Sequence, residues 1–479
     1  MKGFPGATSN RLLQKLKLRY AKNPQPLPKM LITNVFIALY SRRTFTNQSA
    51  FCYSRRRICL YCLYCKGAAF MTEYRLMQPH ELEEAAALAD SVFRGDRKPS
   101  MSDMFPRLFA PRMTHSYGAF TEDGSLGAFM GLAPSTLRVE NKARIRAFSV
   151  GSVCTAPEQR GAGLAGQLLK RCIAHARAAE APLIFVSGDR SLYLRAGCTP
   201  FGRTANVILR GLGAEPQAAS TFQAAMQDSL AFRSALYAPA PPPTLVMRDA
   251  GIKDLMRLHE LHASGSTIFE EGAAGLSDLL AAAAYCGVLG LEQRIILASI
   301  EGKSVAYAVF GVPPQPPTGA TDEADPQASD SGSASSHPPT VIAYGGAPHH
   351  AADLLSCIAT NEGLNELHVP VPWQDEKLLS LLQLHAAGVS SSFASNAGTV
   401  LILDPETLLN QAQPLWSRPW QEALQTDGRG NLFAAPTERQ IERSEWAALL
   451  FDPQYPRPDD IPGWLTPIPL PYLYGLDYI

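Results

Sequence analysis

Apolar residues in the middle of the chain follow two different periods on either side of a glycine-rich loop. A strand-like stretch ends at Thr155, and residues 167–176 carry apolar side chains at helical spacing with charged residues between them. The apolar run 182–187 that follows is typical of a short buried strand. The pattern therefore predicts a strand, a loop, an amphipathic helix and a second strand, in that order.

The residues before this unit predict one helix and an antiparallel meander. The helix has an acidic first turn, which suits the helix dipole, and Glu122-Asp123-Gly124 is a hairpin turn signal. A second alternating stretch turns at Asn141-Lys142 and leads into the strand that ends at Thr155. The expected elements are strands at 74–77, 116–121, 126–133 and 137–155 and a helix at 80–92.

The same order of elements begins again after the proline run 239–243, which suits a stiff linker between domains. A stretch rich in Pro, Ser, Ala and acids then interrupts the repeat at 313–339, and we expect it to be a disordered insertion. The repeated elements are strands at 246–250, 295–300, 305–312, 341–344 and 399–405 and helices at 252–263 and 354–359.

The last part of the chain, residues 406–479, has its own character. Its best helix candidate is 437–450. The final stretch, 464–479, is rich in aromatic residues and proline, which excludes a helix, and its apolar density continues to the last residue. We expect this tail to be extended and packed against the body of the protein, with a purely structural role as the simplest interpretation.

Charge is distributed unevenly along the 479 residues. Residues 1–70 contain thirteen Lys or Arg and no Asp or Glu, so the remainder carries thirty basic and forty-three acidic residues. An acidic body has no general electrostatic attraction for nucleic acid, and the apolar stretch 30–40 is far shorter than the roughly 20 residues of a membrane span. We expect 1–70 to lie outside the native fold, with Met71 as a natural translation start; a targeting segment or a basic binding module stays open.

The glycine-rich loop has the properties of an anion site. Gly161 and Gly163 permit backbone angles and a close approach that side chains would prevent, and the first amides of the following helix have no partner within it. The Gly-Lys-Ser/Thr ending of a P-loop is absent. The competing interpretation is a tight strand-to-helix connection whose glycines serve packing alone.

The segment from Arg160 to Ala165, after a short strand with Pro157, resembles the acetyl-CoA motif of the GCN5-related N-acetyltransferase (GNAT) family. The resemblance implies that backbone groups of the strand pair with the pantetheine arm and polarise the thioester, while loop amides hold the pyrophosphate. It implies acetyl-CoA as cosubstrate and no metal. The residues expected to bind it are Val153, Cys154, Thr155, Arg160, Gly161, Ala162, Gly163, Leu164, Ala165 and Gly166.

Tyr193 lies in a segment that resembles the Tyr-x-x-x-Gly-Phe stretch of the same family, with Cys198 in place of the aromatic residue. The resemblance implies that the Tyr193 hydroxyl protonates the departing coenzyme A thiolate. Packing is the alternative role for this tyrosine. Cys154 could in principle carry an acetyl group, but direct transfer is the usual route in the family.

Two acetyltransferase-like units followed by an appendage resemble the enhanced-intracellular-survival group of acetyltransferases. The resemblance implies an α/β (α+β) fold with tandem mixed sheets flanked by helices and a small C-terminal region. It also implies that the terminal carboxylate, here that of Ile479, helps to take the proton from the amine. Where the second unit should have a phosphate loop it has Ala347-Pro348-His349-His350, so we expect it to have lost acetyl-CoA binding.

These observations predict a catalytic domain at 71–225, a degenerate second unit at 244–405 and a C-terminal region at 406–479. The expected function is transfer of an acetyl group to a primary amine, such as an aminoglycoside, a polyamine or lysine, in a small molecule or a peptide. A non-catalytic acyl-CoA-binding or regulatory protein is the alternative. No nucleic-acid or membrane partner is expected, and a homo-oligomer stays open.

Cysteine and histidine patterns leave two weaker metal hypotheses. Cys59, Cys62 and Cys65, with Cys52 upstream, have a chelating spacing but lack the two separated pairs typical of zinc. His349-His350 has no third ligand in sequence, so loop residues are the simpler interpretation. The remaining five cysteines are single and lie in apolar surroundings, which predicts reduced thiols and a cytoplasmic location.

Overall fold

The alternating apolar residues of the first half build a sheet with helices on both faces. The structure, a computed structural model, describes residues 72–111, 113–210, 245–314, 337–385 and 390–479. The strands of this half are β1 (Glu73–Leu76), β2 (Tyr117–Phe120), β3 (Leu126–Val139), β4 (Ala143–Thr155), β5 (Leu183–Val186) and β6 (Thr204–Leu209). The helices are α1 (Leu82–Phe93), α2 (Met101–Met104), α3 (Pro106–Phe109), α4 (Leu164–Ala178) and α5 (Ser191–Arg195), with 3-10 turns at Pro79–Glu81 and Pro157–Gln159.

The local predictions for this half are confirmed with small shifts. α4 contains the predicted amphipathic segment and buries one face through Leu164, Leu168 and Cys172, which are spaced by four residues. All four residues of β5 are buried, as a continuous apolar run predicts. β3 is longer than predicted, because the strand continues through Pro134 to Val139 and ends at the turn around Asn141.

The second half repeats this order of elements. Its strands are β7 (Val246–Asp249), β8 (Ile268–Phe269), β9 (Glu292–Ile300), β10 (Lys303–Val312), β11 (Thr340–Gly346), β12 (Leu367–Pro372), β13 (Ser390–Ala394) and β14 (Thr399–Ile402). Its helices are α6 (Leu255–Ala263), α7 (Ala273–Ala282), α8 (Ala284–Leu289), α9 (Pro348–Asn361) and α10 (Glu376–His385), with 3-10 turns at Ile252–Asp254 and Trp373–Asp375. The predicted strands and helices of the repeat therefore form.

The two large sheets exchange strands. Sheet A has the order β1-β2-β3-β4-β5-β14, with β8 on the free end of β3, and sheet B has the order β13-β6-β12-β11-β10-β9-β7. In each sheet one pair is parallel, β4 with β5 and β11 with β12. The first half thus contributes β6 to sheet B, where it pairs with β12 and β13. The second half contributes two strands to sheet A: β14 pairs with β5, and the short β8 pairs with β3. The boundaries predicted at 225 and 244 lie outside the described residues and stay predictions.

The C-terminal region packs against sheet A. It contains α11 (Pro405–Ala412), 3-10 turns at Gln413–Leu415 and Trp420–Glu422, a small sheet of β15 (Leu424–Thr426), β16 (Leu432–Ala434) and β17 (Arg439–Ile441), and α12 (Arg443–Phe451). The helix predicted at 437–450 is wrong in its first residues. Glu438 adopts a left-handed φ of 58°, and the next three residues pair with β16, so the helix begins only at Arg443.

The tail predicted to be extended is extended and buried. Beyond α12 the chain forms no further helix or strand in the described residues, yet its apolar side chains enter three separate clusters of the core. Leu465, Ile468, Leu470 and Leu473 pack with the C-terminal region, Leu476 packs with the second half, and Ile479 packs with α1–α3. The described residues from 72 onward form one compact unit held together in part by this tail.

Several predictions fall outside the part of the chain that is described. They are the basic segment 1–70 with its four cysteines, the proline linker 239–243 and most of the insertion 313–339. Of the described helices, none has the length and apolar character that a bilayer crossing requires.

Candidate functional site

The central feature of sheet A is a gap between its two parallel strands. β4 and β5 pair at four positions, from Ala147 with Leu183 to Val150 with Val186. β5 ends there, whereas β4 continues to Thr155 and keeps β3 on its other side. Among the described residues, the pairing leaves the β5-facing edge of Gly151 to Thr155 open. That edge presents backbone donors and acceptors to a ligand.

A β-bulge lies at the mouth of this gap. Ser152 and Val153 together lie opposite the single residue Met130 of β3, and Ser152 has a φ of 48°, a left-handed value that is rare outside glycine. Its hydroxyl is buried and has no partner among the described residues. Such local strain is typical of functional sites, and here it re-aims the backbone at the open end of β4.

The loop after β4 leads directly into α4. Gly161 and Gly163 have φ values of 84° and 76°, and a Cβ built on either would meet nothing within 4 Å. Gly163 is the residue that caps α4. Because the first amides of a helix have no intrahelical partner, those of Leu164, Ala165 and Gly166 are available to an anion. The loop is exposed, so the glycines serve an accessible surface and not a packed one.

Tyr193 lies in α5, on the α4 side of sheet A. It packs in a cluster with Leu168 and Cys172 of α4, and burial raises the pKa of its hydroxyl to about 12. The hydroxyl therefore stays protonated at neutral pH. Within the described ranges it makes no hydrogen bond, so its proton is available to a ligand.

The C-terminus enters the same gap from the opposite face. The Ser187 hydroxyl, directly after β5, donates a 2.6 Å hydrogen bond to the terminal oxygen of Ile479. On β4, Gly151 is so close to Ile479 that a Cβ would lie 2.6 Å from its carboxyl carbon. The terminal carboxylate thus lies where β4 and β5 diverge, although its residue is 292 positions from Ser187 in sequence.

Ile479 and Tyr193 approach the gap from different sides of the sheet. Along β3, Phe129 belongs to the cluster that contains Ile479, whereas Ala128 and Met130 belong to the cluster that contains Tyr193. Neighbouring residues of a strand point to opposite faces, so the two clusters cover opposite faces of sheet A. An acid and a base on opposite faces of one opening can act on two partners that meet inside it.

A cavity of about 570 Å³ lies in the second half, along β11 and the tail. β11 and β12 pair only at Thr340 with His368 before they separate, because Pro370 and Pro372 have no amide hydrogens to donate. The charged residues that line the cavity are Asp375, Glu376, Lys377 and Asp477. His262 also lines it, and burial lowers the pKa of this histidine to about 4, so its ring is neutral at neutral pH. The lining therefore has three carboxyl groups and one ammonium group.

Polar groups in this cavity are only partly satisfied. The Tyr344 hydroxyl donates a 2.7 Å hydrogen bond to Asp375, and burial raises the pKa of Asp375. His262 Nε2 and Gln374 Oε1 are buried without a partner among the described residues. Buried polar atoms are normally paired, so the cavity can accept a polar ligand or ordered water.

The metal hypotheses gain nothing from this arrangement. The rings of His349 and His350 lie 3.9 Å apart at the start of α9, but the described residues contain no group of three or more metal-ligating side chains. The cysteines at 52, 59, 62 and 65 lie outside the described residues. Cys154, Cys172, Cys198 and Cys286 are free and buried, while Cys357 is half-buried. Burial raises the pKa of Cys154 to about 12, which disfavours a nucleophilic thiolate.

Sequence reasoning located the loop, Tyr193 and Ile479 but missed the residues that surround the terminus. Gly151, Ser187 and Asp477 meet Ile479 or its tail only through long-range contacts, which have no local pattern. One signal was present: Asp477 is the only charged residue between 464 and 479. A lone charge in an apolar, buried tail calls for a partner of opposite charge.

Comparisons with known proteins agree with this geometry. Residues 73–201 match the family model of the acetyltransferase (GNAT) domain. No curated protein matches the chain in sequence. A solved GCN5-related N-acetyltransferase from Anabaena variabilis is similar with a TM-score of 0.52 and 12% identity, over 80% of this chain and 92% of that one.

Two further solved structures have similar folds. Eis1 from Mycobacterium abscessus matches with a TM-score of 0.50 and 12% identity, over 79% of this chain and 89% of its own. A probable N-acyltransferase from Enterococcus faecalis matches with a TM-score of 0.50 and 14% identity, over 71% and 75% of the two chains. At such low identity the likeness shows the fold alone, and that fold is the tandem arrangement of mixed sheets flanked by helices.

Proposed function

We propose that the protein is an N-acetyltransferase that moves an acetyl group from acetyl-CoA directly to a primary amine, with the match of residues 73–201 to the GNAT domain model as the premise. One observation carries the proposal. The open edge of β4 lies between a protonated tyrosine on one face of the sheet and the terminal carboxylate of Ile479 on the other.

The cosubstrate site follows from the open strand and the loop. Backbone groups of Val153, Cys154 and Thr155 pair with the pantetheine amides and polarise the thioester carbonyl. The amides of Arg160 and Ala162 already donate to the carbonyl oxygens of Pro157 and Gln159. The other amides from Gly161 to Gly166 bind the pyrophosphate at the start of α4, where the helix dipole favours negative charge. The exposed side chain of Arg160 adds a positive charge beside the same loop.

The chemistry then needs two proton transfers. The neutral amine attacks the thioester carbon, forming a C–N bond, and the C–S bond breaks as the tetrahedral intermediate collapses. A free amine has a pKa of roughly 10.4 and a terminal carboxyl one of about 3.5, so the Ile479 carboxylate accepts the proton only after attack has made the nitrogen acidic. The Tyr193 hydroxyl donates its proton toward the departing thiolate.

The cavity of the second half supports a cationic acceptor. It lies along the tail that ends at Ile479, and its lining has three carboxyl groups, those of Asp375, Glu376 and Asp477, against the single ammonium group of Lys377. Charged hydrogen bonds to a buried carboxylate favour an ammonium over a neutral group. Aminoglycosides, polyamines and lysine side chains share this chemistry.

The alternative is a non-catalytic acyl-CoA-binding or regulatory protein. It is favoured by no specific observation, whereas the unpaired Tyr193 hydroxyl and the terminal carboxylate favour catalysis. The deciding experiment follows release of coenzyme A thiol from acetyl-CoA with separate pools of aminoglycosides, polyamines, lysine peptides and small amines. Amine-dependent release supports the enzyme and identifies its acceptor class. Acetyl-CoA binding in calorimetry without release would support the alternative.

The role of Ile479 has its own test. One or two glycines appended after Ile479 move the carboxylate out of the gap and leave every side chain in place. We expect kcat to fall by about 10²- to 10⁴-fold, the range that a general base contributes, while acetyl-CoA affinity stays the same. Unchanged turnover across the pH range would remove the base assignment.

Buried free thiols support a reducing compartment such as the cytoplasm. Cys154, Cys172, Cys198 and Cys286 are buried and unpaired. Disulfides are rare where glutathione keeps thiols reduced, which is the condition these residues suit.

A further inference from the structure

Asp477 has a buried arginine as its partner. Its Oδ1 lies 3.0 Å from Nη1 of Arg107 in α3, and Arg107 also forms an ion pair with Glu271, which lies two residues before the start of α7. The exposed fractions of the three side chains are 18% for Arg107, 16% for Glu271 and 8% for Asp477. One guanidinium thus joins the first half, the second half and the tail.

The charges of this cluster make Arg107 indispensable to it. Burial raises the pKa of both Asp477 and Glu271, and the positive charge of Arg107 opposes that effect on each. Without the guanidinium, two carboxylates would remain buried close to each other with no counter-charge. Such an arrangement is costly, so the tail would have to move to hydrate Asp477.

The ion-pair cluster of Arg107, Glu271 and Asp477, called the tail clamp below, lies very near the terminus. Asp477 and Ile479 are two residues apart, so their Cα atoms are separated by at most about 7 Å. Between them, the ring of Tyr478 packs against Phe105, two residues before Arg107, with ring centroids 6.1 Å apart, and against Tyr285 at 5.0 Å. The last three residues are therefore held by a salt bridge, an aromatic contact and the Ser187 hydrogen bond in succession.

We infer that Arg107 is a positioning residue for the terminal carboxylate. It holds Asp477 and so fixes where the Ile479 carboxylate lies in the gap between β4 and β5, with Glu271 as its second anchor. This inference rests on the proposed function, because it assigns a role to Arg107 only through the base at Ile479. Arg107 itself lies in α3 and contacts Glu271 and Asp477, so it acts on the reaction only through the tail.

The test is Arg107→Lys in the full chain. Lysine keeps the positive charge but has a single ammonium in place of the planar fork, so it cannot hold both carboxylates in the same geometry. We expect kcat to fall by about 10- to 100-fold, as a small misplacement of a catalytic group allows, with KM and affinity for acetyl-CoA unchanged. Arg294→Lys is the matched control, because Arg294 also bridges two acids, Asp249 and Glu362, away from the tail.

A double-mutant cycle separates positioning from a merely structural effect. Arg107→Lys is combined with one glycine appended after Ile479, and residual rates are followed with radiolabelled acetyl-CoA. If Arg107 acts through the terminus, the substitution costs nothing further once the terminus has been moved. An equal fold-loss in both backgrounds, or no loss with the native terminus, would overturn the inference.

The outcomes also distinguish this inference from the proposed function. If the appended glycine lowers turnover and Arg107→Lys does not, the inference about the tail clamp is wrong while the base assignment of Ile479 stands. If the appended glycine leaves turnover unchanged, the base assignment fails as well. Should Arg107→Lys lose its folded circular dichroism spectrum, Asp477→Asn takes its place in the same cycle, since it removes one buried charge and keeps the Arg107–Glu271 pair.

Discussion

The two halves of the molecule each contain a parallel strand pair that opens into a gap, but different residues line the two gaps. In sheet A, Gly161 and Gly163 follow the open strand and face empty space. In sheet B, Gly345 and Gly346 end the open strand, and a Cβ on Gly345 would lie 2.9 Å from the carbonyl oxygen of Leu261. The first pair of glycines leaves room for a ligand, whereas the second allows close packing.

The helix that follows the gap also offers amide hydrogens to a ligand in the first half and fewer in the second. α4 begins after a glycine with free amides, but α9 begins with Pro348, which has no amide hydrogen to offer a phosphate. The second gap has become a cavity with carboxylates in its lining. Under the proposed function, the first gap binds the cosubstrate, whereas the second gap is a cavity lined by carboxyl groups.

The tail connects the two gaps. Gly475 lies against the carbonyl oxygen of Ile342 on β11, where a Cβ would be 3.2 Å away, and Ile479 lies against Gly151 on β4. A segment that touches both open strands can link occupancy of the second gap to the chemistry of the first. The division of cosubstrate binding and acceptor binding between the two halves can be tested by substitution.

Removal of the Tyr193 hydroxyl should have the largest effect. Tyr193→Phe keeps the ring in its cluster and removes only the proton donor, so we expect kcat to fall by about 10²- to 10⁴-fold. Acetyl-CoA affinity, measured by calorimetry, should stay the same. Tyr455→Phe, in the C-terminal region, is the control for loss of a tyrosine hydroxyl. Equal kcat for Tyr193→Phe and the unmodified protein would end the assignment of Tyr193 as the acid.

A change in the second gap should affect the acceptor and spare acetyl-CoA. Asp375→Asn removes a buried carboxyl group but keeps an acceptor for the Tyr344 hydroxyl. Loss of a charged hydrogen bond of about 1.5–3 kcal/mol raises KM for a cationic amine by about 10- to 100-fold. Glu292→Gln, on an exposed side chain of β9 outside the cavity lining, is the matched control. A raised KM for acetyl-CoA instead would contradict the division between the halves.

Gly151→Ala tests the contact between sheet A and the terminus. The added methyl group would lie 2.8 Å from the terminal oxygen of Ile479, so the carboxylate must shift. We expect turnover to fall by about tenfold with little change in acetyl-CoA affinity, since small displacements of a reacting group are costly. Gly272→Ala, at a position with nothing within 4 Å, controls for the loss of a glycine. Full turnover in Gly151→Ala would show that the terminus need not lie there.

The smallest effect concerns stability of the second half at low pH. His262 has a folded-state pKa of about 4, below the usual 6.5, because it is buried. The unfolded chain therefore binds a proton more readily between pH 6.5 and 4, and stability falls as the pH is lowered through that window. Between pH 7.5 and 5.5 the loss from this group is about 1 kcal/mol. Chemical denaturation at both pH values should show a smaller loss in His262→Gln; an identical pH dependence would contradict the burial of a neutral histidine.

Local patterns in the sequence predicted the loop, the helix with Tyr193 and most strands. Gly161, Gly163 and the spacing of Leu164, Leu168 and Cys172 are readable because each depends on residues within two helical turns. The exchange of β6 and β14 was not predicted, because pairing between distant strands depends on the whole packed core. At 437–441 the apolar spacing favoured a helix, but pairing with β16 prevailed over local preference.

The surroundings of the candidate site show the same limit. The sequence suggested Ile479 only through a family resemblance, and nothing local indicated Gly151 or Ser187 as its neighbours. Asp477 was visible as a lone charge, but its partner Arg107 is 370 positions away, and Glu271, the other partner of Arg107, is in another part of the chain again. Long-range ion pairs of this kind leave no periodic signal.

The most direct measurement is a calorimetric titration of the full chain with acetyl-CoA. We predict one site per chain, because among the described residues only the first half has an open strand followed by a glycine loop with free helix amides. The single site should disappear in Gly163→Val, where a branched side chain must adopt a left-handed φ at the start of α4. Two sites per chain, or one site that survives this substitution, would contradict the assignment of acyl-CoA binding to the first half.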